Sequence, residues 1–196
     1  MDTLRAVALG FFDGVHIGHG ALLRRTRAAA DRLAIPAAAM SFDAHPSRLL
    51  CAAPAPLLST MDERTLLMQR LYGMDEVIFE HFDRAMMEMP WETFVEEYLV
   101  RQLHAKHVVC GHDYRFGYRG EGTPQLLQAA CAARGISSEI VPCVNFLMDR
   151  GYIAVIHPDE PTINPMRGVL VRITDKGQDV VEGTTRDASI IFADGR

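Results

Sequence analysis

The sequence has almost no lysine: among 20 cationic residues only Lys106 and Lys176 are lysines, and the rest are arginines. Acidic residues number 25, leaving a net charge of −5, which argues against a general nucleic-acid binder, since such proteins are usually basic. Cysteine is sparse and unpatterned. Cys51, Cys110, Cys131 and Cys143 form no C-x-x-C pair and lie in or beside apolar stretches. Buried, reduced thiols and a cytoplasmic setting are expected, with neither a zinc site nor a disulfide framework. No apolar run approaches the ~18 residues needed to cross a bilayer. The early run at residues 6–12 is broken by Gly10 and followed by Asp13, so no signal peptide is expected. There is no Walker A pattern, no internal repeat and no low-complexity tract.

What is present is alternation. Apolar runs at 4–9, 35–42, 76–82, 107–110 and 138–142 read as strands. Helical spacing is expected at 18–33, at 61–72 with Thr60 or Asp62 as cap, at 91–104 behind Pro90, and at 124–134 up to Gly135. Strand and helix in turn predict an α/β fold, a Rossmann-like doubly wound parallel sheet with helices on both faces. Ligands of such sheets sit at the carboxyl ends of the strands, so loops 10–18, 43–56, 83–90 and 111–122 are the ones to inspect. After Cys143 the pattern changes to short β-rich runs at 152–156, 168–173, 179–182 and 190–192, with a hairpin turn expected at Asp175-Lys176-Gly177. The expected division is therefore a nucleotide-binding domain over 1–145 and an atypical β-rich tail over 146–196.

The strongest local signal is Gly10-Phe11-Phe12-Asp13-Gly14-Val15-His16-Ile17-Gly18-His19, between the first strand and the first helix. Its glycines permit a tight turn and close approach of backbone to a ligand. His16 and His19, three residues apart at a helix start, can share one side. Helix N-termini carry unpaired N–H groups and partial positive charge, so the combination suits a phosphate. The alternative is that Asp13 caps the helix and the histidines are ordinary surface residues. Zinc is disfavoured, because His-x-x-His supplies too few ligands. His104, His107 and His112 share no helical face, and no metal site is expected. Arg24, Arg25, Arg27 and Arg32 read as a solvated helix face, with Arg24 near enough to the turn to reach a phosphate.

This turn resembles the first motif of the bacterial FAD synthetases, the FMN adenylyltransferase module usually fused to riboflavin kinase, within the HxGH nucleotidyltransferase superfamily. Ser41-Phe42-Asp43-Ala44-His45-Pro46 is similar to the family's T-F-D-P-H-P, with Ala44 in place of proline. The stretch 80–97, with Phe82-Asp83 and Phe94-Val95-Glu96-Glu97, resembles the region before the family's fourth strand. Gly111-His112-Asp113-Tyr114-Arg115-Phe116-Gly117, with Gly120 and Gly122 behind it, resembles V-G-x-D-F-R-F-G-x-x-R-x-G. The resemblance covers roughly residues 5–142.

The resemblance implies transfer of AMP from ATP to FMN, giving FAD and pyrophosphate, with Mg²⁺ accompanying ATP. His16 and His19 would be catalytic. Gly10, Phe11, Asp13, Gly14, Gly18 and the two histidines would face ATP. Phe42, His45, Asp113, Arg115, Phe116 and Gly117 would face FMN. Partners would be these small molecules, without nucleic acid or membrane. Read from its residue type alone, Phe116 is equally a core aromatic. The family's second phosphate motif, Ser-Ser-Thr/Ser-x-x-Arg, is not found. Ser137-Ser138 comes too early, and residues 163–167 carry Asn164 and Pro165 where hydroxyls belong. That departure raises a second expectation, a catalytically impaired relative that binds flavin or adenine nucleotide. Pro161-Thr162-Ile163-Asn164 and Arg167-Gly168-Val169 resemble short riboflavin kinase segments, but too few residues remain for that barrel, and no kinase activity is expected.

Overall fold

The computed structural model describes residues 3–44 and 57–141, and in the tail 151, 153–156, 170–176 and 179. It divides the chain into two compact units, Met1–Val141 and Pro142–Arg196.

In the first unit the apolar runs form strands β1 (Arg5–Leu9), β2 (Ala37–Phe42), β3 (Glu76–Glu80), β4 (Ala105–Gly111) and β5 (Ser137–Val141). They make one sheet in the order β3-β2-β1-β4-β5, and every pairing is parallel. Parallel strands need crossovers, supplied here by α1 (Ile17–Leu33), α2 (Met61–Tyr72), α3 (Arg84–Glu88), α4 (Trp91–Phe94) and α5 (Pro124–Ala132). α4 runs on as a π-helical stretch over Val95–Gln102. From β1 the chain winds outward through β2 and β3, then returns to lay β4 on β1's other side. The order therefore reverses between β1 and β4, and a crevice is expected at their carboxyl ends.

Side chains alternate across the sheet and divide its two faces by size. Val7, Leu9, Ala38, Met40, Val108 and Cys110 join Phe94, Val95, Leu99, Leu103, Leu127 and Cys131 in one core cluster. The intervening Ala6, Ala8, Ala37 and Ala39, all fully buried, form the other face. Small residues there let α1, which packs on β1, β2 and β4, approach closely with Leu22, Leu23, Ala29 and Ala30. Truncating a leucine such as Leu99 in the first face costs about 2–5 kcal/mol.

Local signals define the ends. Thr60 accepts from the Glu63 N–H at 3.2 Å while Glu63 accepts from the Thr60 N–H at 2.8 Å, a reciprocal capping box that starts α2. Gly73, with φ +64°, closes it. Thr123 caps α5, with Pro124 as its first residue.

The structure departs from the sequence reading in three places. Residues 84–88, read as loop, form α3, capped by Asp83 Oδ1 accepting from the Met86 N–H at 2.8 Å. The helix at 91–104 is π-wound for much of its length. In the second unit, β6 (Ile153–Ile156) pairs antiparallel with β7 (Leu170–Ile173), while Asp175 and Lys176 are helical and not a hairpin turn. The runs at 179–182 and 190–192 lie outside the described residues, apart from Asp179. Among the described residues no helix is long and apolar enough to cross a membrane.

Candidate functional site

The loops leaving β1 and β4 flank the point where the strand order reverses. The loop after β1 is strained. Phe12 (φ +54°), Gly14 (φ +68°) and Val15 (φ +39°) all occupy the left-handed region. For the two non-glycine residues this costs about 1–3 kcal/mol each and persists only where surroundings impose it. Here they do. The Phe12 ring is fully buried beneath Gly10, where an added Cβ would lie 2.9 Å from it. The Phe11 carbonyl accepts from Ser41 Oγ at 2.6 Å and from Arg64 Nη1 at 3.1 Å. The Gly14 N–H donates to Ser59 Oγ at 2.8 Å.

Asp13 does not cap α1. Its carboxylate accepts from the Leu58 N–H at 2.9 Å, the Ser59 N–H at 3.0 Å and Ser59 Oγ at 2.8 Å, tying the turn to the segment that opens α2. Burial alone would raise its pKa, but these donors prevail and hold it below the ordinary carboxylate value.

His16 is the N-cap of α1. Its Nδ1 accepts from the His19 N–H at 3.3 Å, so the neutral ring carries its proton on Nε2. The His16 and His19 rings stack with centroids 3.6 Å apart, and the Phe12 edge meets His19 at 5.3 Å. Desolvation lowers the pKa of both imidazoles. For His19, burial and the neighbouring His16 bring it down to about 3, against a weak opposing pull from Asp13. His19 Nδ1 is buried and has no hydrogen-bond partner among the described residues. Two neutral rings on a helix N-terminus, one with an unsatisfied nitrogen, form a place that can accept an anion without first displacing a carboxylate.

Gly18 lies in the first turn of α1 and Phe11 lines the turn's start. Phe42, at the end of β2, meets the Phe82 ring edge-on at 5.2 Å and offers its carbonyl to Arg64 at 3.0 Å. The next residue, Asp43, pairs with His81 Nδ1 at 2.6 Å and accepts from the Phe82 N–H at 3.2 Å. His45 lies outside the described residues.

Asp113 and Arg115 are exposed on the loop that follows β4. Phe116 instead packs into the core among Phe94 (5.3 Å), Tyr114 (5.7 Å) and Trp91 (6.4 Å). Gly117 has φ +72°, and a Cβ there would lie 2.6 Å from Trp91 Cα, so no other residue fits. Arg24 lies over the Tyr72 ring at 5.6 Å. Arg27 is held by Asp31 at 2.6 Å and Asp75 at 2.7 Å.

Sequence reasoning missed Ser59 and Arg64, and named Ser41 only as the first residue of the 41–46 motif, with no role of its own. Arg64 carried a readable signal: it lies four residues before Met68, on the buried face of α2. The departure at 163–167, on which the expectation of an impaired binder rested, lies outside the described residues.

The FAD synthetase family model matches residues 2–150. The chain is similar to proteins described as bifunctional riboflavin kinase/FMN adenylyltransferase. That of Listeria monocytogenes is 37% identical over 123 residues, 62% of this chain and 38% of the relative. That of Haemophilus influenzae is 37% identical over 136 residues, 68% of this chain and 44% of the relative. The Escherichia coli protein is 34% identical over 124 residues, 63% and 40% of the two chains. The matches thus span about two fifths of these relatives' length. A crystal structure described as a macrolide-efflux protein from Streptococcus pneumoniae matches with a TM-score of 0.62 at 23% identity, over 85% of this chain and 51% of that one. This likeness is one of fold.

Proposed function

Because the chain belongs to the FAD synthetase family, we propose that it is an FMN adenylyltransferase that joins AMP from ATP to FMN, releasing pyrophosphate. Residues 1–145 form the transferase module, and 146–196 are a separate β-rich tail. The observation that carries the reading is the stacked His16–His19 pair on the N-terminus of α1, beside the point where strand order reverses.

In the proposed reaction a phosphate oxygen of FMN attacks the α-phosphorus of ATP in line. The new P–O bond forms as the bond from the α-phosphorus to the bridging oxygen breaks, and pyrophosphate carries away the electron pair. A phosphate monoester is already anionic at neutral pH, so the attack needs no general base. Catalysis is then positioning and stabilisation of charge on the α-phosphate and leaving group. His16, protonated on Nε2, donates a hydrogen bond to these oxygens. His19 does the same through whichever nitrogen carries its proton, and the α1 amides add theirs. The turn at Gly10, Phe11, Asp13, Gly14 and Gly18 walls the triphosphate side. Phe42, His45, Asp113 and Arg115 serve the flavin side, with Phe116 and Gly117 shaping that loop from beneath.

Magnesium enters as part of the substrate, MgATP. A hard cation of this kind keeps several waters and is held chiefly through substrate phosphates with one or two carboxylates. The net charge of −5 favours small-molecule partners over nucleic acid, and the cysteine usage favours the cytoplasm.

Incubation of the purified protein with FMN, ATP and Mg²⁺, followed by chromatography of the flavins, tests the proposal. FAD should form, and His16→Ala should reduce its rate by about 10²–10³-fold. Absence of FAD from the wild-type reaction would reject the assignment.

A further inference from the structure

Arg64 is fully buried, the largest such side chain among the described residues. Its Nη1 reaches three oxygens, the Phe11 carbonyl at 3.1 Å, Ser41 Oγ at 3.1 Å and the Phe42 carbonyl at 3.0 Å. Those acceptors belong to two different walls: Phe11 opens the strained turn after β1, and Ser41 and Phe42 end β2. The guanidinium lies between two aromatic faces, 5.1 Å from the Phe11 centroid and 4.9 Å from Phe79. Its Nε and Nη2 have no hydrogen-bond partner among the described residues. The acids close enough to act on it, Asp13 and Asp43, are each occupied elsewhere, Asp13 by Leu58 and Ser59, Asp43 by His81 and Phe82. A buried cation paired this incompletely is a poor means of stabilising a fold, since apolar side chains of similar volume usually serve as well or better. What an apolar side chain could not do is hold two carbonyls from separate strand ends on one nitrogen.

We propose that Arg64 is a positioning residue for the phosphate cradle, locking the turn that carries His16 and His19 to the carboxyl end of β2, so that one side chain sets the spacing between the two walls of the cleft. The division of those walls between ATP and flavin rests on the function proposed above; the locking does not. Ser41 is the second half of the clasp, donating to the Phe11 carbonyl while accepting from Arg64. Without the clasp the left-handed Phe12 and Val15 relax, the imidazole stack opens, and the phosphate chain loses its alignment.

The test uses the full chain with Arg64→Met, Arg64→Lys and Ser41→Ala, each first checked for cooperative thermal unfolding. Arg64→Met should lower kcat for FAD formation by about 10²-fold, the usual effect of displacing a reacting group by about 1 Å, with a smaller change in KM for ATP. Arg64→Lys, which keeps the charge and can still reach the carbonyls, should recover at least about a tenth of the wild-type kcat, and Ser41→Ala should lose about tenfold. In substrate-free protein, NMR titration of the His19 ring should move from about 3 toward the ordinary 6.5 in Arg64→Met and stay low in Arg64→Lys. A purely structural role would lower the melting temperature and leave kcat and the His19 titration alone, and that result overturns the proposal. If Arg64→Met does not fold, wild-type kcat and His19 titration in Ser41→Ala overturn it equally. A wild type that makes no FAD would reject the transferase reading, and the clasp would then be judged by the His19 titration alone.

Discussion

Replacing Asp13 by alanine removes an acceptor that serves the Leu58 N–H, the Ser59 N–H and Ser59 Oγ at once. Hydrogen bonds to a charged group are worth about 1.5–3 kcal/mol each when buried. Two of these three are only part-buried, and the Leu58 bond is solvent-exposed. After that discount the whole clasp contributes about 2 kcal/mol, in the range of a strong helix cap. For a chain of this size that corresponds to a fall in Tm of about 4–8 °C. Asp13→Asn keeps an acceptor but not the charge, and should lose about half as much. Because the folded carboxyl titrates below its ordinary 3.8, its contribution is complete above about pH 4 and disappears as pH falls through the folded value. Thermal unfolding of wild type and Asp13→Ala from pH 7 to pH 3 should therefore give two curves separated at neutral pH that converge in acid. Equal Tm values at pH 7 would refute the view that Asp13 holds the turn to the start of α2. A separation that widened in acid would refute the sign of the linkage.

Further measurements address other parts of the site. With its pKa near 3, the His19 ring should show no NMR titration between pH 5 and 8, and a midpoint near 6.5 would contradict the buried, stacked arrangement. His81 is shifted the other way by its bond to Asp43. Any stability it adds is present below its unfolded pKa and fades as pH rises through the higher folded value, and its resonance should titrate above 6.5 in wild type but not in Asp43→Asn. Gly117→Ala forces a left-handed alanine against the Trp91 backbone. It should cost about 3 kcal/mol or more, read as a lower denaturant midpoint, and a neutral result would mean that the loop after β4 moves away from α4 freely.

The sheet was legible because its signal is local. Residues 4–9 and 35–42 are apolar runs ended by glycine or a turn, and strand alternation with helices leaves few topologies open. The His16–His19 turn was legible for the same reason, since all its residues lie within ten positions. The π-winding of Val95–Gln102 was not legible. Val95 and Leu99 keep the i, i+4 burial of an ordinary helix, and the difference lies in backbone hydrogen bonds that side-chain pattern does not encode. α3 was missed because five residues give no periodicity, although Asp83 was an available cap. The roles of Asp13 and Arg64 depend on partners tens of residues away, Leu58 and Ser59 for one and Phe11, Ser41 and Phe42 for the other. The spacing of Arg64 from Met68 marks its burial, but which oxygens it meets, like the partners of Asp13, leaves no mark on a one-dimensional pattern. Phe116 shows the limit for aromatics: its sequence position suits a ligand wall or a core, and packing against Phe94 and Trp91 gave it to the core.

The stacked imidazoles also limit how this protein can vary. One nitrogen of His16 closes the helix, and in the proposed reaction the other meets the phosphate oxygens, so in that reading one five-membered ring serves both ends. Asparagine would keep the closure and forfeit the reach, and glutamine would extend toward the reach while loosening the closure. A drifting sequence therefore has no gradual route away from histidine at this position.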